Sequence, residues 1–526
     1  MGTAMPGTRR PLRGHPTATL IAVCFGLFMV GLDATVVSIA NPAIAADLGT
    51  TFSQLQWVTN AYLLALAVFL ILGGKLGDRF GRRRMYLIGI VAFAVTSVAI
   101  GLVGTASGVV VFRALQGLSA ALLMPQTLAL LRATFPKERF ALAVGVWGGA
   151  SSVAIAAGPI VAGILIARLG WESVFFVNAP IAVIGVVLGA LVLQESTAPH
   201  RGRFDVIGVV LLALGLFGIV LAVVQSESWG WTSPLTLGVL LGGLVLLVVF
   251  IVVELRVTAP LLPMSLFRSS SVSIGGLAVG ANFFAMLGVT FFLSLYMLNL
   301  RGATGLEAGL MQLPLSGVSI VASPIGAALV RRWGVRRILT VGLLMIGAAL
   351  FALTGTTQDS PYIGMAIPFV VFALGAGFTM TAGAEAVVGG APVHLAGVAG
   401  GFQATSLQLG GALGTSVLSA VVSAGVLSGT AGLGLDTAAR QGLAQGIVPS
   451  HLGAAGARVA RDAFLGGLHT SFIVAGVVAV VVALLAALLV RPEPRAGQEI
   501  TSAESSSPTE RAIVERTNPS RAGRSR

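Results

Sequence analysis

Cysteine occurs once in 526 residues, at Cys24. That excludes an intramolecular disulfide and any cysteine-built metal site. Charge is scarce as well: 10% of residues are Asp, Glu, Lys or Arg, where soluble domains carry about 25%. Lysine appears only at Lys75 and Lys137. The five histidines, His15, His200, His394, His451 and His469, never fall at metal-ligand spacing. There is no Gly-x-x-x-x-Gly-Lys-Ser/Thr run, so ATP is not the energy source of this chain. There is no Gly-x-Ser-x-Gly elbow either. What is abundant is apolar: 56% of residues are hydrophobic and the mean hydropathy is +0.95. A soluble core cannot hide that much apolar surface, so most of it faces lipid. A soluble enzyme, a disordered chain and a coiled coil are excluded together.

A bilayer core of about 30 Å takes about 20 apolar residues as a helix. Fourteen runs qualify, near 18–41, 55–76, 85–104, 108–130, 141–167, 174–193, 206–225, 235–255, 271–297, 306–329, 338–355, 361–382, 398–423 and 466–490. The first is too long, and too directly continued by Asn41-Pro42, to read as a cleaved signal peptide. With the N-terminus inside, 26 of the 32 basic residues fall in inner segments, and five (Arg168, Arg301, Arg440, Arg458 and Arg461) in outer loops. Arg113 lies within a span. This asymmetry orients the chain with both termini cytoplasmic. It also accounts for the net charge of +13 as a basic rim facing an anionic leaflet, not as a nucleic-acid surface. The expected division is a cytoplasmic tail over 1–17, a six-helix bundle over 18–193, a linker with two extra spans over 194–260, a second six-helix bundle over 261–490, and a disordered cytoplasmic tail over 491–526. The outer loop 424–465 is Gly/Ala-rich and has room for one short helix.

Two inner loops repeat. One runs from Gly74 through Gly77, Asp78, Arg79 and Gly81 to Arg82, Arg83 and Arg84. Its counterpart runs from Ala327 through Arg331, Arg332 and Gly334 to Arg336 and Arg337. Each follows the second span of a six-span block, and paired halves are how transporters rock around a central site.

Five stretches in order carry a resemblance: Leu32-Asp33-Ala34-Thr35 with Asn41-Pro42 in span 1, the Gly74–Arg84 loop, Arg113-Ala114-Leu115-Gln116-Gly117 in span 4, Gly158-Pro159 with Gly163 in span 5, and Trp171 to Pro180 before span 6. With them the chain resembles the fourteen-span drug:proton antiporter branch of the major facilitator superfamily, the EmrB/QacA type, over nearly its whole length. The resemblance implies an all-α integral membrane fold with two pseudo-symmetric six-helix bundles and two extra central helices. It also implies a proton gradient as energy source with no cofactor. A monomer is the expected working unit, although no sequence feature fixes the oligomeric state. The second-half loop departs from the first by carrying Arg331 where the first has Asp78.

Charges inside a bilayer are costly unless paired, so they mark function. Asp33 and Arg113 fall at matching depth in the outer half of the membrane by their distance along spans 1 and 4. The functional reading is that Asp33 carries the coupling proton and Arg113 tunes it, with Gln116 on the same helical face ordering a water nearby. The alternative is a static pair, or a helix-end Asp facing outer water, and for Gln116 a plain interhelical hydrogen bond. Gly74, Gly77, Asp78, Arg79, Gly81, Arg82 and Arg83 are expected to form a cytoplasmic gate; the resemblance implies that Asp78 engages a helix end and basic groups, and a carboxylate does favour a helix N-terminus. For the arginines a positive-inside turn is the plainer reading. Gly158, Pro159 and Gly163 bend span 5 or allow close packing. Trp147, Asn282, Gln312 and Gln403 are candidate cavity residues, or plain interhelical contacts. Glu385 is a second titrating candidate if span 12 extends past it. Trp57, Trp171, Trp229, Trp231 and Trp333 read as interfacial anchors.

The expected function is proton-coupled efflux of hydrophobic or cationic drugs or antibiotics across a bacterial inner membrane. The ligands would be a small molecule, protons and the lipid bilayer. A dedicated exporter of one self-made metabolite is the alternative, since the Ala, Gly, Val and Arg bias suggests a GC-rich genome. A non-transporting scaffold and an uptake symporter are weaker readings.

Overall fold

In lipid a backbone must satisfy its own hydrogen bonds, which leaves apolar runs of this length no choice but helix. The computed structural model describes residues 13–49, 52–197, 205–303, 305–449 and 452–491. Among these, fourteen helices are long and apolar enough to cross a membrane. The first six are α1 (Pro16–Leu48), α2 (Phe52–Phe80), α3 (Arg82–Leu102), α4 (Ala106–Thr134), α5 (Lys137–Leu169) and α6 (Asn178–Val192). The extra pair is α7 (Val206–Trp229) and α8 (Pro234–Glu254). The last six are α9 (Ser270–Leu295), α10 (Gly305–Trp333), α11 (Val335–Leu353), α12 (Tyr362–Ala384), α13 (Ala396–Gly429) and α14 (Ala454–Leu489). Most of the expected tails over 1–17 and 491–526, and positions 198–204 of the linker, lie outside the described residues.

Local chemistry sets several helix starts. Thr105, Asp205 and Ser233 each accept a backbone N–H two or three residues inside α4, α7 and α8. The repeated loops turn at equivalent glycines: Gly81 has φ 111° and Gly334 has φ 83°. A side chain would strain both positions, so the repeat seen in sequence is also a repeat in backbone conformation.

Several helices overrun the apolar runs. α1 continues through Asn41-Pro42 to Leu48. α13 reaches Gly429 and α14 starts at Ala454, well beyond 398–423 and 466–490. The 36 residues of α14 span about 54 Å, more than a bilayer core of about 30 Å. Between them, Asp436 caps a short helix, Thr437–Ala444. Past Ala384, α12 continues as a π turn, Glu385–Gly389, so Glu385 falls inside that span.

The face where α1 begins and α14 ends also carries the basic loops, and is called the basic face below. There the core of the first half runs on into Val387, Ala396 and Val398 of the second half. On the opposite face the corresponding cluster (Leu32, Val36, Val58, Val109, Phe175) draws on the first half alone. The two halves therefore close together at one end and part at the other.

The extra helices fill a seam. α7 packs against both α2 and α13, with Val220 seated on Leu64 and Ala67 beside Leu409. Beyond α8, Glu254 accepts the backbone N–H groups of Leu261 and Leu262, and Lys75 of α2 donates to the Pro260 carbonyl at 2.7 Å. This latch ties the hairpin to the Gly74–Arg84 loop. Outward faces stay apolar, as lipid contact requires: Ile160 is 67% exposed and Leu488 75%.

Candidate functional site

Asp33 sits in mid-helix on α1 and is fully buried. Its carboxylate accepts from Arg113 Nη1 at 2.7 Å, Gln116 Nε2 at 3.0 Å and Asn178 Nδ2 at 3.2 Å. Arg113 also donates to Gln116 Oε1 and to the Val58 carbonyl, and its guanidinium lies 4.2 Å from the centre of the Tyr62 ring. Sequence depth anticipated that Asp33 and Arg113 meet; Gln116, expected to order a water beside them, instead donates directly to the acid. Asn178 was not anticipated as a member. It sits inside the Trp171–Pro180 stretch, on a different helix, and only the packing of α6 on α1 brings it to the acid. The same Nδ2 lies 3.0 Å from Ser97 Oγ. Because α2 and α4 touch closely at Gly117, where a methyl would run into Tyr62 and Ala65, Arg113 can reach across to α1. Removing one partner of such a buried pair leaves a bare charge, at a cost of about 3–5 kcal/mol.

A second carboxylate lies at the basic face. Asp78 accepts from Arg82 Nε at 2.9 Å and Nη2 at 2.7 Å. It also accepts the backbone N–H groups of Gly397 and Val398, at 3.1 and 3.0 Å. These are two of the free donors in the first turn of α13, so a first-half acid caps a second-half helix where its dipole is positive. Arg82 Nη2 donates to the Val393 carbonyl, and Arg132 Nη2 to the Gly389 carbonyl. Gly74 is what admits this approach: a methyl there would overlap the Gly397 backbone. Gly77 makes room for the Gln126 amide and Gly81 for the Glu195 carboxylate. Arg83 and Arg84 act within the first half. Arg83 donates to the Ala190 carbonyl, and the backbone N–H groups of Arg83 and Arg84 are capped by Glu195. Arg79 lies over the Phe80 ring.

Between the halves, away from the basic face, is a cavity of about 820 Å³. α1 contributes Thr35; α5 contributes Ser151, Ser152 and Gly163; α9 contributes Asn282 and Phe283; α10 contributes Gln312; α12 contributes Phe372. Of the four cavity candidates, Asn282 and Gln312 line it. Trp147 and Gln403 do not. Trp147 is 4% exposed, packs in the first-half core and donates its indole N–H to Thr127 at 3.1 Å. Counted along the chain it lies one or two turns inside the expected span 141–167, a depth open to the cavity, but α5 turns that face to α4. Gln403 is buried in α13, two residues after Gly401. α5 runs as one helix through Gly158-Pro159. A methyl at Gly158 would run into Thr35. Of the tryptophan anchors, Trp171 is buried instead, donating to Asp47 at 3.0 Å and meeting Phe175 edge to face.

The Major Facilitator Superfamily model matches residues 23–415. The chain is 39% identical over 501 residues to the tetracenomycin C resistance and export protein of Streptomyces glaucescens, covering 92% of this chain and 93% of that one. It is 36% identical to the cephamycin export protein CmcT of Amycolatopsis lactamdurans, covering 84% and 92%. Among solved structures, the proton:xylose symporter XylE superposes with a TM-score of 0.62 at 14% identity, covering 91% of this chain and 96% of that one. That last likeness is one of fold. The match along the chain, the fourteen membrane-length helices and a cavity between two halves agree: the protein is a multi-pass transporter, not an enzyme, and belongs to the major facilitator superfamily.

Proposed function

We propose that this protein exports hydrophobic or cationic drugs or antibiotics across a bacterial cell membrane in exchange for protons, by alternating access. The observation that carries the reading is a carboxylate, Asp33, buried in mid-helix and held by Arg113, Gln116 and Asn178. An intramembrane acid is expensive and is kept for ion movement. On this reading Asp33 gains a proton from the outer side and becomes a neutral carboxyl, its ion pair with Arg113 dissolves, and the halves rock. Release of the proton inward restores the pair. The basic face is cytoplasmic by its arginine content. The contacts of Asp78, Arg82 and Arg132 across the halves then seal the cytoplasmic end, with the cavity open outward. Gly158 and Pro159 let α5 move against α1.

A narrower reading, one exporter for one self-made metabolite, is supported by two relatives whose names give one antibiotic or antibiotic class each, while another, Stp of Mycobacterium tuberculosis, is named a multidrug resistance protein. The test is resistance and efflux in a pump-deficient strain, with tetracenomycin C, a cephamycin and ethidium as the panel. Wild type should confer resistance to at least one. An uncoupler, or Asp33→Asn, should abolish it at equal membrane abundance. Gradient-driven export by Asp33→Asn overturns the proton role. Resistance to one compound alone selects the narrower reading.

A further inference from the structure

The cavity and the proton site are built from opposite chemistry. Among the described residues lining the cavity there is no Asp, Glu, Lys, Arg or His. Its polar groups are neutral amides and hydroxyls, from Asn282, Gln312, Thr35 and serines such as Ser151 and Ser319. Asp33 stands two residues before Thr35, so about 200° around a helix of 3.6 residues per turn. The acid faces α4 and α6 while Thr35 faces the cavity. Asp33 is fully buried and all three of its partners come from the first half.

One cavity group is left wanting. Asn282 is 2% exposed; its Nδ2 reaches the Ala376 carbonyl at 3.4 Å, and its Oδ1 has no hydrogen-bond partner. A buried acceptor without a donor is costly, and a ligand hydroxyl would satisfy it. Gln312, by contrast, is tied to Ser294.

Resting on the efflux reading above, we infer that the substrate is an uncharged, hydroxyl-bearing aromatic molecule that donates to Asn282 and never meets the coupling acid. A cation entering this cavity would shed water without finding a carboxylate, and the faces of Phe283 and Phe372 recover only part of that loss. A flat neutral ring system loses little and gains those faces together with Met286 and Met380. Proton and substrate therefore communicate through α1 and its contact with α5 at Gly158, not by sharing one carboxylate. Each turnover then moves only the charge of the protons. For one proton per substrate, a potential of 100 mV sustains a gradient on the order of 50-fold.

The test is equilibrium binding to the full chain in lipid nanodiscs, followed by probe fluorescence. The probes are a neutral dihydroxyanthraquinone and ethidium, two flat three-ring chromophores that differ in charge. The anthraquinone should bind, and ethidium should bind at least about tenfold more weakly. Asn282→Leu should weaken the anthraquinone about fivefold and leave ethidium unchanged. Met286→Glu should reverse the preference by supplying the missing carboxylate. Asp33→Asn should leave the preference for the anthraquinone over ethidium unchanged, because the acid does not line the cavity. Ethidium binding as tightly as the anthraquinone to wild type, or no anthraquinone binding, overturns the inference. If Asn282→Leu fails to insert, Met286→Glu and the wild-type comparison still decide it. The two readings fail separately: wild type that exports drugs but prefers ethidium sinks only the uncharged-substrate inference. Wild type that binds the anthraquinone yet exports nothing sinks the efflux reading.

Discussion

Gly158 of α5 lies directly against Thr35 of α1, so close that a methyl on the glycine would collide with the threonine side chain. Thr35 lines the cavity and stands two residues from Asp33. The contact is thus where a cavity helix touches the helix that bears the buried acid.

Gly158→Ala should therefore disturb both. Overpacking of this kind costs about 1–3 kcal/mol. Drug export should fall by at least about tenfold, with a lower melting temperature in detergent, while Gly163→Ala on the same helix, where a methyl meets open space, should leave the melting temperature unchanged. Gly158→Ala with wild-type export and stability would show that the close approach is not needed.

Asp78→Asn should loosen the basic face. The substitution removes the charge that holds Arg82 and caps Gly397 and Val398. A loss of about 2 kcal/mol would shift a two-state equilibrium about 30-fold. Spin labels at Arg84 and Arg337, one on each half, should report longer distances in the variant by double electron–electron resonance. Unchanged distance distributions would remove Asp78 from the seal.

Trp147→Phe should lose stability without changing the range of exported drugs. The indole donates to Thr127 inside the first-half core, and one such bond is worth about 1 kcal/mol. A narrowed drug range in a resistance panel, at wild-type abundance, would return Trp147 to the cavity.

Much of the architecture was legible along the chain. Fourteen apolar runs needed only helix length against bilayer thickness, and arginine placement needed only counting. Asp33 and Arg113 were legible as a pair because charge in an apolar run has few places to go. Asn178 was not, since an amide at the start of an apolar run has many partners open to it. Trp147 misled for a related reason: distance along a helix places a residue in depth but does not say which neighbour it faces. The overrun of α13 and α14 escaped because Gly/Ala-rich segments carry little hydropathy signal yet continue a helix once packed.

By itself, then, the sequence determined the solvent this chain lives in, the number of its spans and the face that is basic, since these follow from additive properties of single residues. Tertiary structure alone decided which polar groups meet. The capping of α13 by Asp78, the closure of the Asp33 cluster by Asn178 and the separation of that cluster from an uncharged cavity each join residues far apart in the chain. They depend on helix rotation and close approach at glycines, which no single residue encodes.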